Sequence, residues 1–242
     1  MTSDCDPFRH VVELRDKLVD PMASAYRALD IAALDERMHA AGAPADWRLS
    51  DSSRERSRRD ALAGRHGDDL WVFAYGSLIW DPAFRFREAR TASLQGYRRR
   101  FCLKSELGRG TPERPGLMAG LDRGGACAGL VFRIARDVLD DETRILWRRE
   151  MLLHAYTPAF LRIETPAGVV EALAFVIDRT APSYMPGLSM DETARYLSTA
   201  VGLLGSNLEY IENLVEHLAA VGIADRALSD LCALSRELAS TR

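Results

Sequence analysis

Apolar residues recur at helical spacing near the start of the chain, at Val11, Leu14 and Leu18. This predicts helix from Pro7 to about Met38, opened by Asp6 and divided in two at Pro21. From Asp46 to Asp69 apolar positions thin out and charge takes over, with Arg54, Arg56, Arg58 and Arg59 clustered around Glu55. Flanking acids dilute that cluster, so it reads as a solvated helix or linker rather than a phosphate patch. At Leu70 the texture changes to short β-type runs. Trp71 to Ala74 is a candidate buried strand. Arg90–Leu94 and Tyr97–Leu103 flank Gln95-Gly96, and Leu117–Leu121 and Cys127–Ile134 flank Arg123-Gly124-Gly125, which predicts two antiparallel hairpins.

A helix is expected from about Val138 to Met151, capped by Asp137, with Asp140 and Asp141 in its first turn. Strands near Phe160–Glu164 and Val169–Ile177 surround a turn at Pro166-Ala167-Gly168. Helices near Asp191–Val201, Leu208–Ala220 and Arg226–Leu238 complete the chain. Hairpins with helices between and after them do not make the strand–helix alternation of a doubly wound sheet, so the fold class is α+β. The change of texture divides the chain into an N-terminal helical extension with a charged linker, residues 1–69, and a second unit, residues 70–242.

With 242 residues, 47% of them hydrophobic, the chain can bury a full core. A net charge of −3 gives no attraction for nucleic acid or anionic membrane and leaves small-molecule ligands as the expected partners. Met1 to His10 lacks the apolar core of a signal peptide, and no stretch approaches the roughly 18 apolar residues of a membrane span, so a cytoplasmic address is expected. Cys5, Cys102, Cys127 and Cys232 are scattered and read as reduced thiols.

Phosphate-loop, dinucleotide and His-Glu-x-x-His signatures do not occur, and the five histidines stand far apart, so no cofactor and no metal site is expected. Only Lys17 and Lys104 could form a Schiff base, and neither lies in a motif. Ser77 lacks the Gly-x-Ser-x-Gly elbow, which argues against a serine hydrolase.

Two local features carry chemistry. Val72-Phe73-Ala74-Tyr75-Gly76-Ser77-Leu78-Ile79-Trp80 starts as a buried strand and breaks at Gly76-Ser77 between large apolar anchors. Main-chain N–H groups in so tight a turn can converge on a carboxylate or an oxyanion, although an ordinary strand end would look the same. Glu150 shares a helical stripe with Leu139 and Leu146 and sits in the last turn, where the helix dipole and partial burial both raise a carboxyl pKa. That tuning suits a general base. A salt bridge with Arg148, Arg149 or a neighbouring strand is the structural alternative.

Taken together these residues resemble the gamma-glutamylcyclotransferase superfamily, and within it the ChaC family of glutathione-specific enzymes. The resemblance rests on Phe73 to Trp80, on Gly108-Arg109-Gly110-Thr111 followed by Pro115-Gly116, on Leu146-Trp147-Arg148-Arg149-Glu150-Met151, and on Gly202-Leu203-Leu204-Gly205-Ser206-Asn207 leading to Tyr210. It covers roughly Leu70 to the C-terminus and implies a mixed sheet curling toward a small barrel, flanked by helices, with a ligand pocket at one end. It also implies that Val72, Phe73, Ala74, Tyr75, Gly76, Ser77 and Leu78 bind substrate, with Tyr75 to Leu78 as the holding loop. In the same way Glu150 matches the catalytic glutamate and Tyr156 a pocket tyrosine. Arg99, Asn207 and Tyr210 lie in matching blocks without assigned roles. Ala74 stands where the family usually has glycine, and where ligand approaches the backbone closely its methyl would alter the pocket.

The implied activity is cofactor-free cleavage of glutathione to 5-oxoproline and Cys-Gly. Other γ-glutamyl amino acids or amines as substrates, and a non-catalytic γ-glutamyl-binding module, are the alternatives.

Overall fold

The computed structural model describes residues 6–40 and 42–241; Cys5 lies outside them. Five strands close into a barrel: β1 (Leu70–Ala74), β2 (Glu88–Ser105), β3 (Gly116–Ile134), β4 (Tyr156–Thr165) and β5 (Gly168–Ile177), in the order β1-β3-β2-β4-β5, with β1 running parallel to β5. Closure leaves no long edge strand to protect. The main core runs from Val72, Leu130 and Phe132 in the barrel to Trp147, whose ring packs edge-on against Phe175 at 5.2 Å.

The two expected hairpins are instead one. β2 and β3 are continuous and pair with each other along their length, and the segments flanking Gly96 and Gly124-Gly125 belong to single strands. Gln95 pairs with Ala126 and Tyr97 with Arg123, so Gly96 on one strand faces Gly124-Gly125 on the other as a bulge. All three glycines have positive φ, +81°, +100° and +77°. A left-handed glycine between β-type runs marks either a turn or a bulge, and local sequence does not separate the two. The true connection is the 106–115 segment, which carries Gly108-Arg109-Gly110-Thr111.

The N-terminal region is less helical than its periodicity predicts. Residues 7–30 run as turns with 3-10 segments at Val12–Leu14 and Pro21–Ala23, and the α-helices are α1 (Ile31–Ala40) and α2 (Asp51–Leu62). Val11 and Leu14 are buried in the main core, and Val19 N–H donates to the Trp80 carbonyl at 2.8 Å. A wrapping path that anchors on the barrel replaces a straight helix. The arginine cluster forms α2, capped by Ser50, but is not wholly solvated: Arg58 is buried and donates to Thr143 Oγ1 at 3.0 Å.

Helix α3 (Leu139–Glu150) follows a 3-10 turn at Arg136–Val138. That turn takes Asp137 out of the capping position, which Val138 occupies, and the Asp137 carboxylate accepts from Arg87 instead. In the middle of α3 the fully buried Glu142 accepts from Arg27 and Arg85. Burial acts to raise its carboxyl pKa, and these arginine bonds outweigh burial and hold it below the ordinary value. The pair with Arg27 ties the N-terminal segment to α3.

Helices α4 (Met190–Thr199), α5 (Asn207–Ala220) and α6 (Arg226–Ser240) complete the fold, the first two opened by full capping boxes at Ser189 and Ser206. Between α4 and α5 lies a small hairpin of β6 (Val201–Gly202) and β7 (Gly205–Ser206). Among the described residues no helix is long and apolar enough to cross a membrane, and Cys102, Cys127 and Cys232 are buried and unpaired.

Candidate active site

Strand β1 runs out of the barrel core into Tyr75-Gly76 and a 3-10 turn at Ser77–Ile79. Leu78 and Ile79 are buried and pin that turn. The first N–H groups of such a turn have no partner within it, and those of Gly76, Ser77 and Leu78 find no acceptor among the described residues. Arg99 on β2 braces the same loop from behind: its Nε donates to the Tyr75 carbonyl at 2.6 Å and its other nitrogens to Ala128 O and Asp225. Arg99 therefore positions the loop.

The loop opens on a cavity of about 330 Å³ walled by Tyr75, Gly76, Ser77, Leu78, Ala119, Arg149, Glu150, Tyr156, Phe175 and Tyr210, among others. Of the residues named in sequence, Tyr75, Gly76, Ser77, Leu78, Glu150, Tyr156 and Tyr210 line this one cavity. Val72, Phe73 and Ala74 do not line it; they are fully buried in β1. The methyl of Ala74 is packed in the core, away from the cavity.

Glu150 ends α3, with its side chain 14% exposed. Burial pushes its carboxyl above the ordinary value, and Arg149, 3.1 Å away, pulls in the opposite direction. The two readings of Glu150 thus coexist: it is ion-paired and it faces the cavity. Arg149, only 3% exposed, was named in sequence as a possible salt-bridge partner of Glu150 but not as a site residue. It donates to Ser77 Oγ at 2.8 Å and to the Asp81 carbonyl, and Tyr26 stacks on its guanidinium at 4.1 Å. One arginine therefore ties the loop to the carboxylate. Its sequence signal was adjacency to an acid in a helix's last turn, where cations are favoured anyway.

The Tyr75 and Tyr156 hydroxyls donate to Phe175 O at 2.7 Å and to Ala119 O at 3.0 Å, and burial raises both phenols well above their ordinary value. Their protons are committed to backbone carbonyls, so the loop N–H groups and the Tyr210 hydroxyl, which has no acceptor among the described residues, are left as donors for a carboxylate or a developing oxyanion. Tyr210 closes the floor, packed against Trp80, Phe101 and the guanidinium of Arg109.

The other two sequence blocks build the rim. Leu203 and Leu204 N–H groups donate to Leu107 and Gly108 carbonyls, and a Cβ at Gly202 would lie 2.5 Å from Gly108 O and Gly110 N, so only glycine permits this contact. Asn207, fully buried at the start of α5, accepts from Leu117 N–H at 2.6 Å and donates to Leu117 O at 2.7 Å. Its amide acts as a short length of strand clamping the rim to β3. Replacing Asn207 by Ala leaves both Leu117 groups unpaired, and the expected loss in urea denaturation is roughly 2–4 kcal/mol.

A second, more open hollow of about 420 Å³ includes Asp122 and Arg179. Its buried carboxylate, Asp122, is already held by Arg100, Arg179 and Tyr184, so it offers no free group for chemistry. Among the described residues no cluster of His, Cys, Asp and Glu has the composition of a metal site.

The family model for ChaC-like proteins matches residues 70–238, which takes in the loop, Glu150, Tyr156 and the rim. A glutathione-specific gamma-glutamylcyclotransferase of Escherichia coli (strain K12) is 36% identical over 170 residues, 70% of this chain and 74% of its own length. A glutathione-specific gamma-glutamylcyclotransferase 1 of Mus musculus is 30% identical over 158 residues, 63% of this chain and 71% of its own. The crystal structure of a gamma-glutamyl cyclotransferase specific to glutathione from yeast has the same fold, with a TM-score of 0.66 at 21% identity over 73% of this chain and 99% of that one. With the match covering more than half of its length, the chain belongs to the ChaC-like protein family.

Proposed function

We propose that the protein cleaves glutathione by cyclising its γ-glutamyl unit, releasing 5-oxoproline and Cys-Gly. The observation that carries this reading is that one cavity is lined both by a carboxylate of raised pKa and by a loop of unpaired N–H groups, the two tied together through Arg149. The relatives named above act on glutathione, and the same chemistry fits here.

Glutathione places a free α-amine and a γ-linked amide on one residue. Attack of that amine on the γ-carbonyl forms the ring C–N bond and breaks the bond to the cysteinyl nitrogen. At neutrality the amine, with a pKa of about 8, is largely protonated and unreactive. Glu150 takes its proton and returns one to the leaving nitrogen, and the two protons lost by the α-nitrogen equal the two gained by the Cys-Gly amine, so no water is consumed. The Gly76–Leu78 N–H groups hold the α-carboxylate, which fixes the amine against the γ-carbon. Well-aligned intramolecular attack accounts for roughly 7–11 kcal/mol of barrier.

The chemistry on this reading resides in residues 70–242, and residues 1–69 add packing and one further wall. A cytoplasmic address fits a thiol substrate kept reduced there. Purified protein incubated with reduced glutathione after exhaustive chelator treatment is expected to yield 5-oxoproline and Cys-Gly in equal amounts by mass spectrometry, with a panel of γ-glutamyl amino acids run alongside. Absence of product from every γ-glutamyl donor would leave a binding module, and turnover restored only by added metal would overturn the cofactor-free mechanism.

A further inference from the structure

The cavity is not built from the matched family region alone. Tyr26, Leu29, Leu34 and Arg37 also line it, and all four precede residue 70, where the family match begins. This wall is anchored. Glu142 holds Arg27, Leu49 N–H donates to Leu152 O at 3.0 Å, and Asp35 on α1 accepts from Arg48 at 2.6 Å and from the Trp47 indole at 3.0 Å. The Asp35 carboxyl is held below its ordinary value by Arg48, so this strut stays charged at neutral pH.

The lining cations differ in what they are free to do. Arg149 is committed to Ser77, Asp81 and Glu150. Lys104 is paired with Glu106 at 2.8 Å. Arg37, two residues after the anchored Asp35, is an exposed residue at the edge of the cavity and makes no hydrogen bond or ion pair among the described residues. An unpaired guanidinium that lines the cavity from its exposed side is matched by a ligand that carries a second anionic group beyond the one the loop takes.

We propose that Arg37 receives the carboxylate at the far, C-terminal end of the substrate, which makes the N-terminal segment a specificity element that selects γ-glutamyl peptides ending in a free carboxylate. The proposal rests on the γ-glutamyl reading above. Arg37 touches the end of the substrate that does not react, so its binding energy fixes the leaving dipeptide and favours peptides over γ-glutamyl amines, which lack that group.

The test compares glutathione with its glycine monoethyl ester, which removes the far charge and leaves the reacting end unchanged. The intact protein is expected to show kcat/KM roughly ten- to a hundredfold lower for the ester, the range for losing one charge-assisted contact. In Arg37→Ala, acid and ester are expected to become equal, through a loss on the acid alone. In Lys104→Ala the preference should persist. Equal kinetics for acid and ester in the parent, a preference that survives Arg37→Ala, or one that disappears in Lys104→Ala would each overturn the proposal. Calorimetric titration of the same two ligands separates this failure from failure of the γ-glutamyl reading. A protein that turns over neither ligand but binds the acid more tightly through Arg37 retains the inference and loses the reaction, whereas equal binding in parent and variant removes the inference whatever the turnover.

Discussion

Glu150→Gln is expected to fold, bind glutathione with near-parental affinity and lose turnover by a factor toward the upper end of the 10²–10⁴ typical of general acid/base catalysis, because one carboxyl serves both proton transfers. Glutamine keeps the size of the side chain and can still accept from Arg149, so the Ser77–Arg149 bond that holds the loop remains. The sign of the linkage supports folding. A carboxyl whose folded pKa is raised contributes stability that is present below its unfolded value and is lost as pH rises through its folded one. Burial therefore disfavours the charged form of Glu150, and Arg149 keeps Ser77 Oγ and the Asp81 carbonyl as partners after the exchange, so the variant should melt close to the parent. Calorimetric binding and a product assay on both proteins check this. Near-parental turnover would remove Glu150 as the base, and an unfolded variant would make its ion pair a structural one.

What the sequence made legible follows from how locally each feature is encoded. Glu150 was readable because helical periodicity puts it on the stripe of Leu139 and Leu146, both buried as that stripe requires. The Tyr75–Leu78 loop was readable only through the family resemblance, because a buried strand ending in Gly-Ser looks locally like an ordinary strand end. The β2–β3 hairpin was misread because Gly96 and Gly124-Gly125 carry the positive φ that turns and bulges share, and only pairing across the barrel decides between them. Asn207 and Arg99 had no assignable role for a related reason. Their partners, Leu117 and the Tyr75 carbonyl, are 90 and 24 residues away, and a side chain bonded to distant backbone leaves no periodic trace. The N-terminal wall was equally hidden. Tyr26 and Arg37 sit in a stretch read as simple helix, and their place at the cavity depends on the Arg27–Glu142 and Leu49–Leu152 contacts.

Arg149→Met should be the most damaging change that leaves the base itself in place. Two functions are lost together. The loop loses the bond to Ser77 Oγ and the tie to the Asp81 carbonyl, and Glu150 loses the one charge that opposes its burial. Misplacement of a positioning loop by about 1 Å costs on the order of 10² in rate. The electrostatic part has a distinct signature: with Arg149 gone, burial acts on Glu150 unopposed, its carboxyl pKa climbs further, and less of it is present as the base at neutral pH. The acid limb of the kcat/KM profile should therefore move to higher pH, and part of the lost rate should return as pH is raised toward 8. Cost to stability should stay below the roughly 3–5 kcal/mol usual for orphaning a buried charge, because Glu150 escapes by taking up a proton. The experiment is a pH–rate profile of parent and variant with glutathione, together with thermal melts at pH 6 and 8, where the variant should be the more destabilised at pH 8. A uniform loss of rate with an unmoved acid limb would assign Arg149 to bracing the loop alone, and an unchanged rate would detach it from the site altogether.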